Sequence, residues 1–303
     1  MENQMRLMDW ILLLTLSLLW GGSFFFTEIT LRELTPLAVV WGRVALAALM
    51  LLLILRIKGI EIPTDRKLWS AFLVMGLLNN VIPFTLIVWG QKEITGSLAS
   101  IFNATTPLFT IVLAQFLTSD EKINGSKIAG LVVGFVGVIF MVGFEALSGL
   151  STAVWAQIAI LIAAISYGCA AIWGRRFKEV NPMVTATGQV TCSSLVMTPL
   201  VLWFGFPNGY FMPSTDVLFG VVGIAFLCTV LAYILYFKIL ATSGATNLML
   251  VTFLIPLSAI ALGSIFLGER LEIDQIIGML LILSGLVIID GRLLRNKRAK
   301  TTA

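Results

Sequence analysis

Apolar runs of about 20 residues, separated by short polar connections, recur along the whole chain. Each run is long enough to cross the hydrocarbon core of a bilayer, which is about 30 Å thick. The pattern predicts ten spanning helices, at residues 10–30, 37–56, 68–89, 97–117, 127–144, 153–173, 183–204, 216–240, 246–267 and 274–291. No polar segment of domain size is left over. The chain is therefore predicted to be an all-α membrane protein with no soluble catalytic domain.

One motif occurs twice: a proline in an apolar helix, a glutamate in a charged connection, and two glycines in the next helix. Its copies are Pro107, Glu121, Gly130 and Gly137 and, 148 residues later from glutamate to glutamate, Pro256, Glu269, Gly278 and Gly285. From the glutamate onward the spacing is nine residues and then seven in both copies. Such a period is too long for a solenoid. It predicts two five-helix repeats, at residues 1–145 and 146–303.

Lysine and arginine in the connections sort to one side of the predicted membrane. With a cytoplasmic N-terminus, 16 of them face the cytoplasm and only Arg32, Lys92 and Arg270 face outward. The excess of positive charge inside predicts that both termini are cytoplasmic. Because each repeat has an odd number of helices, the second enters from the opposite side. Two inverted repeats are typical of secondary transporters, whose substrate site lies near the midplane.

The composition narrows the possible functions. The chain is 58% hydrophobic and 12% charged, with a mean hydropathy of +1.00, against about 25% charged residues in soluble proteins. It has no histidine, and its three cysteines lie in apolar runs, so neither a disulfide framework nor a thiolate metal site is indicated. The sequence also lacks an intramembrane catalytic set and a G-x4-G-K-[ST] nucleotide motif. We therefore expect no enzymatic activity, no cofactor, and no nucleic-acid or soluble protein partner.

Arg43 is a full charge well inside a predicted span, about 10 Å from its start at 1.5 Å per residue. A buried arginine is costly and normally faces a partner or a water-filled cavity. Arg43 therefore either lies in the substrate path or ties helix ends together through backbone carbonyls or Glu28. Both interpretations stay open. The second repeat has Gln189 at the equivalent position, and each residue follows a proline by seven positions.

The opening Trp20-Gly21-Gly22-Ser23-Phe24, the spacing Pro36-x6-Arg43 and the doubled Pro…Glu-x8-Gly-x6-Gly motif resemble the EamA family of the drug/metabolite transporter superfamily. The resemblance covers nearly the whole chain as two tandem repeats. It implies a ten-helix inner-membrane carrier, usually an exporter of amino acids or related metabolites. In that family the first four helices of each repeat line the path and the fifth is peripheral. Gln189 departs from the arginine pattern, so the role of Arg43 need not be symmetric.

Small and polar residues form a stripe on one face of the fourth predicted helix. They are Gly96, Ser100, Asn103, Pro107 and Thr110, at steps of four, three, four and three residues. The stripe is either a cavity wall or a close-packing seam with an interhelical hydrogen bond. Its counterpart in the second repeat is Asn247, Thr252 and Pro256.

Aromatic and amide side chains complete the candidate set. Trp20 and Tyr233 lie too deep for an interfacial belt, so the aromatic residues either grip an apolar or aromatic substrate or fill the core. The predicted substrate-binding residues are Trp20, Phe24, Arg43, Asn79, Asn80, Ser100, Asn103, Pro107, Tyr167, Gln189, Tyr233, Tyr236, Asn247 and Pro256.

Glu121 and Glu269 are candidate proton carriers, but each precedes a helix whose positive end is the more natural partner. The helix glycines are interpreted as packing positions. The chain is thus predicted to be a secondary transporter that moves a small neutral or zwitterionic metabolite outward across the cytoplasmic membrane, with or without protons. Its partners are this substrate and the lipid bilayer. A nucleotide-sugar or sugar-phosphate carrier, which would need several cations in the path, and a non-transporting scaffold or sensor are the alternatives.

Overall fold

The computed structural model describes residues 6–118, 123–142, 151–207, 209 and 211–290, and the regular secondary structure of these residues is helical. The described chain forms ten helices: α1 (Leu7–Thr30), α2 (Pro36–Ile57), α3 (Arg66–Gly90), α4 (Gly96–Leu117), α5 (Gly125–Val142), α6 (Thr152–Phe177), α7 (Pro182–Phe204), α8 (Thr215–Gly244), α9 (Val251–Leu267) and α10 (Ile273–Asp290). They correspond one to one to the ten predicted spans. The largest difference is at α9, which begins at Val251 rather than at residue 246.

Eight of these helices, all except α7 and α9, are long and apolar enough to cross a membrane. Helix α7 has the length, 23 residues, but carries more polar side chains. Thr185, Thr187, Gln189 and Ser193 are all buried, so its polar face points into the protein rather than toward lipid. Helix α9 is a shorter apolar helix. The fold is that of an all-helical, multi-pass membrane protein.

Several helices contain local irregularities. Leu77–Val81 in α3 and Phe226–Leu231 in α8 are π-helical, and the two segments lie at corresponding places in the two repeats. Helix α4 is interrupted after Asn103, and Pro107 stands near the start of its second piece, where a missing backbone N–H costs nothing. π-Helical segments are frequent at functional sites. Those of α3 and α8 face the region described below.

The helix contacts between the two halves of the chain come in matching pairs. Helix α1 packs on α8 and α9 as α6 packs on α3 and α4, and α2 packs on α8 as α7 packs on α3. Helices α2 and α7 pack against each other, and so do α5 and α10. Only 28% of α5 and of α10 is buried, against 39% or more for the other six helices that can span a membrane. The fifth helix of each half is therefore peripheral, as the resemblance implied.

Glycines bring the α5 and α10 backbones together. A Cβ atom built on Gly130 would lie 2.5 Å from the Gly285 carbonyl oxygen, and one on Gly137 would lie 2.7 Å from that of Gly278. No side chain fits at such distances. The interpretation of these glycines as packing positions is confirmed.

The connection between α1 and α2 is bonded to the connection between α7 and α8. Thr35 Oγ1 donates to the Gly205 carbonyl at 2.7 Å, and the Ser214 amide donates to Glu33 at 2.8 Å. Hydrogen bonds from Ser214 lower the pKa of Glu33 below its ordinary value. These two connections therefore lie at the same end of the bundle.

Candidate substrate site

Arg43 lies at the junction of four helices and is 9% exposed. From α2 its Nε donates to Thr229 Oγ1 in the π-helical segment of α8, at 3.0 Å, and its Nη1 donates to Ser23 Oγ of α1, at 3.1 Å. The guanidinium carbon is 3.7 Å from the centroid of the Phe84 ring of α3. A ring face attracts a cation. Both halves of the chain thus hold this side chain.

The partners of Arg43 are two hydroxyl groups and a ring. Among the described residues its hydrogen bonds reach neither a carboxylate nor a backbone carbonyl. The expected partners of a structural Arg43, backbone carbonyls or Glu28, are therefore wrong. A guanidinium has five N–H donors, and two of them are used here. A buried cation without an anion is unfavourable. The arrangement is suited to receive one anionic group.

A second network surrounds Gln189 of α7. Asn79 Nδ2 donates to Gln189 Oε1 at 3.1 Å and to the Tyr233 hydroxyl at 3.3 Å. The Tyr233 hydroxyl donates to Asn80 Oδ1 at 3.3 Å, and Asn80 Nδ2 donates to Ser193 Oγ at 3.0 Å. Five polar side chains from α3, α7 and α8 thus satisfy one another in the interior.

The two networks are reciprocal. Arg43 of α2 binds Thr229 in the π-helical segment of α8, and Gln189 of α7 binds Asn79 in the π-helical segment of α3. The second helix of each half therefore contacts the irregular third helix of the other half. The two networks differ in charge, because the first repeat supplies a cation where the second supplies a neutral amide.

Aromatic rings line the region beside Arg43. Tyr167 and Tyr233 are half-buried and lie within electrostatic range of the guanidinium. The Tyr236 ring is 5.7 Å from that of Trp20 and 5.2 Å from that of Phe237. The structure thus brings Trp20, Arg43, Tyr167 and both tyrosines of α8 to one part of the interior, together with the Asn79 and Gln189 network.

Other candidate residues make their contacts elsewhere. Phe24 is buried, and its carbonyl accepts from Gln91 Nε2 at 3.0 Å. Pro107 and Pro256 are buried within α4 and α9. Asn247 lies ahead of α9, where its Nδ2 donates to the Ser243 carbonyl at 3.0 Å. None of the four makes a hydrogen bond or ring contact with Arg43 or Gln189 in the described structure.

The residues of the small and polar stripe on α4 do not all support the same interpretation, cavity wall or packing seam. The Ser100 and Thr110 hydroxyls donate to carbonyls of their own helix, at 2.7 and 2.8 Å. A Cβ on Gly168 of α6 would lie 3.3 Å from the Thr110 backbone, so this part of the stripe is a packing seam. Asn103 Oδ1 is buried and has no hydrogen-bond partner in the described structure. The cavity interpretation therefore rests on Asn103.

Glu269 binds a helix other than the expected one. Its carboxylate accepts from the Gly96 amide at 3.2 Å, from the Ser97 amide at 2.9 Å and from the Ser97 hydroxyl. The positive end it neutralises belongs to α4 of the first repeat, so the expectation that it serves the following helix, α10, is wrong. Glu121 lies outside the described residues.

Four residues of the two networks were not among the predicted set: Ser23, Phe84, Ser193 and Thr229. Ser23 belongs to the quoted Trp-Gly-Gly-Ser-Phe opening, but nothing local marked it as a partner of Arg43. Thr229 follows Asn80 by 149 residues, close to the repeat period, and an alignment of the repeats would have found it. Phe84 and Ser193 carry no comparable signal.

Residues 8–143 and 154–290 each match the EamA-like transporter family. This chain belongs to that family. Similar proteins include the uncharacterized transporter YoaV of Bacillus subtilis (24% identity over 90% of this chain and 94% of YoaV) and protein PecM of Dickeya dadantii (27%, 93% and 92%). The uncharacterized inner membrane transporter YedA of Escherichia coli K12 is 24% identical over 86% of this chain and 83% of its own.

A crystal structure of a protein with 17% identity superposes with a TM-score of 0.68, covering 96% of this chain and 99% of its own. That likeness concerns the fold alone. The family and these relatives establish a membrane transporter.

Proposed function

We propose that this EamA transporter exports amino acids or related zwitterionic compounds across the cytoplasmic membrane by alternating access. The observation that carries the proposal is Arg43, a buried cation held only by hydroxyl groups and a ring within the described structure. A substrate carboxylate would supply the missing anion and could accept two parallel N–H donors from the guanidinium. The networks of Arg43 and Gln189 would then face the substrate from both repeats.

Inverted packing of the two repeats is part of this proposal. The first connection of repeat one, at Glu33 and Thr35, is bonded to the second connection of repeat two, at Gly205 and Ser214. Repeats of the same orientation would place these connections at opposite ends of the bundle. The reciprocal helix contacts and the lysine and arginine pattern support the same arrangement, with both termini in the cytoplasm.

Aromatic side chains provide a surface for the uncharged part of the substrate. Tyr167 and Tyr233 lie beside Arg43, and ring contacts continue from Tyr233 through Phe237 and Tyr236 to Trp20. All five side chains are only partly buried. Sites for small molecules combine apolar and aromatic walls with a few orienting polar groups. An amino acid with an apolar or aromatic side chain fits that description.

The rival anionic substrates are less well matched. A nucleotide sugar or sugar phosphate carries a doubly charged group or several charges, and its path calls for several cations. In the described interior of the bundle, Arg43 is the single arginine or lysine that is buried. One cation suits one carboxylate.

Transport by the purified chain in proteoliposomes tests the proposal. Vesicles loaded with an amino acid mixture should exchange labelled amino acids, and unlabelled free acids should compete. The corresponding amino acid amides, which lack the carboxylate, should compete at least tenfold less well, since a hydrogen bond to a charged group contributes about 1.5–3 kcal/mol. Stronger competition by a nucleotide sugar, or equal competition by the amides, would contradict the proposal. No flux of any compound would favour a scaffold.

A further inference from the structure

A groove opens on the outer surface of the bundle between helices α3 and α7. Its volume is about 390 Å³, and it is lined by Trp69, Ser70 and Leu73 of α3 and by Cys192, Leu195 and Val196 of α7. Leu73 is 40% exposed and Leu195 is 66% exposed. Because α3 is a helix that can span the membrane, the groove lies on the surface that lipid covers. Its lining residues are distinct from those that hold Arg43.

The polar groups of the lining residues are already bonded to backbone carbonyls. Ser70 Oγ donates to the Lys67 carbonyl at 2.7 Å, and Trp69 Nε1 donates to the Pro63 carbonyl, also at 2.7 Å. Cys192 Sγ lies 3.9 Å from the Trp69 carbonyl oxygen. The groove therefore presents aliphatic and ring surface and offers no unused hydrogen-bond donor. It suits a fatty acyl chain better than a polar metabolite, whose polar groups would lose water without gaining partners.

Two basic residues stand at one end of this groove. Arg66 precedes Ser70 by four residues and Leu73 by seven, so the three share one face of α3 with Trp69. Lys67 follows Arg66, and both basic side chains are exposed. One helical turn, about 5 Å, separates Arg66 from the start of the groove wall. Positive charge and an apolar groove thus lie next to each other on the same helix.

The positive charge of Arg66 and Lys67 is not neutralised by an ion pair within the part of the chain that the structure describes. The adjacent carboxylate, Asp65, is the N-cap of α3 and accepts from the backbone amides of Lys67 and Leu68 at 3.3 and 3.0 Å. Both cationic side chains remain available to an anion outside the protein. Basic residues at the end of a membrane helix attract anionic lipid headgroups.

The second half of the chain lacks this charge at the corresponding place. The π-helical segments of α3 and α8 begin at Leu77 and Phe226, which are 149 residues apart. The same spacing places Thr215 and Asp216 of α8 where α3 has its two basic residues. An acidic residue there repels an anionic headgroup. The combination of groove and cations is therefore specific to α3.

We propose that this groove is a binding site for an anionic phospholipid, with one acyl chain between α3 and α7 and the headgroup phosphate on Arg66 and Lys67. Guanidinium and ammonium groups are the usual protein partners of phosphate. The acyl chain would contact both helices, which carry Asn79 and Gln189 further inside. A bound lipid would therefore stabilise the packing of α3 on α7. This inference goes beyond the proposed transport function and does not depend on the substrate.

Native mass spectrometry of the purified protein tests the headgroup part of the site, with phosphatidylglycerol and phosphatidylcholine of identical acyl chains as probes. The wild-type protein should bind one phosphatidylglycerol at least tenfold more tightly than phosphatidylcholine. The double variant Arg66→Gln, Lys67→Gln should bind phosphatidylglycerol roughly 25-fold more weakly, since each basic residue near a headgroup contributes about fivefold. The matched control, Arg32→Gln with Lys92→Gln, removes two exposed charges elsewhere and should bind as wild type.

A groove-filling variant tests the acyl-chain part of the site. Ser70→Trp places a large ring in the groove at an exposed position, so the protein should fold, which its melting temperature checks, and should lose the tight phosphatidylglycerol. Val222→Trp is the control, because Val222 is 45% exposed on α8 and corresponds to Leu73 at the spacing of 149 residues. Phosphatidylglycerol should also raise the melting temperature of the wild type but not of Ser70→Trp.

Three results would overturn the proposal. Equal affinity for the two lipids, or an Arg66 and Lys67 double variant that binds as wild type, would remove the headgroup site. A Ser70→Trp protein that keeps the tight phosphatidylglycerol would show that lipid surrounds the bundle without occupying the groove. Because transport is not measured in these experiments, each of these results would leave the proposed function standing.

Discussion

Replacing Arg43 by glutamine is expected to reduce amino acid exchange roughly 10- to 100-fold while the protein stays folded. The loss reflects one charge-assisted interaction of about 1.5–3 kcal/mol between the guanidinium and the substrate carboxylate. Folding should survive because Gln189 occupies the equivalent position of the second repeat in an equally buried setting. The glutamine amide can still donate to the Thr229 hydroxyl, the partner of Arg43 Nε. The measurement is initial exchange rate in proteoliposomes, normalised to the amount of folded protein.

Two further variants separate a substrate role from a structural one. Arg56→Gln removes an exposed arginine from the end of the same helix and should leave exchange unchanged. Arg43→Lys keeps the charge but loses the planar fork, so it should retain only part of the activity. The Arg43→Gln protein should also lose the distinction between free amino acids and their amides. Unimpaired exchange at normal protein levels would refute a role for Arg43 in the substrate path.

The chain's architecture could be predicted from its sequence because the bilayer imposes simple rules. Apolar length gave the ten helices, since a span needs about 20 residues. The repeated proline, glutamate and glycine spacing located α5 and α10, whose glycines meet across the helix interface. Their peripheral place was implied by the family resemblance. The start of α9 was misplaced because Met249 and Leu250, which lie in an apolar stretch, form a turn ahead of Val251.

The site was predicted only in part, because its contacts join distant positions. Arg43 was recognisable as a charge in an apolar run, but its partner Thr229 lies 186 residues away. The π-helical segments of α3 and α8, which present Asn79 and Thr229, have no local sequence signature. Glu269 was assigned to the nearest helix, whereas its hydrogen bonds run to α4, 172 and 173 residues away. Short-range rules cannot choose between helix ends that only the tertiary fold brings together.

The buried side chain of Gln91 shows the same limit. Gln91 belongs to a connection that looks polar and solvent-facing. Packing of the α3–α4 connection against α1, seen in the hydrogen bond from Gln91 to the Phe24 carbonyl, encloses this side chain.

Replacing Gly285 by alanine is expected to lower the apparent melting temperature in detergent markedly. A Cβ at this position would lie 2.5 Å from the Gly130 carbonyl oxygen and 2.7 Å from the Gly134 amide nitrogen. These neighbours are backbone atoms, which cannot rotate away, so α5 and α10 must move apart. Overpacking of this kind costs about 1–3 kcal/mol, which exceeds the gain of about 0.8–1 kcal/mol from the better helix propensity of alanine.

The matched control is Gly22→Ala, a buried mid-helix glycine in α1. The nearest atom to a Cβ there is 3.7 Å away, an ordinary contact, so its melting temperature should stay the same or rise. Gly130→Ala should resemble Gly285→Ala, and the double variant should lose less than the sum, because one substitution already separates the helices. Exchange per folded molecule should persist, since α5 and α10 lie outside the bundle that holds Arg43. If Gly285→Ala left the melting temperature unchanged, α5 and α10 could separate at no cost. Their close packing would then contribute nothing to the stability of the fold.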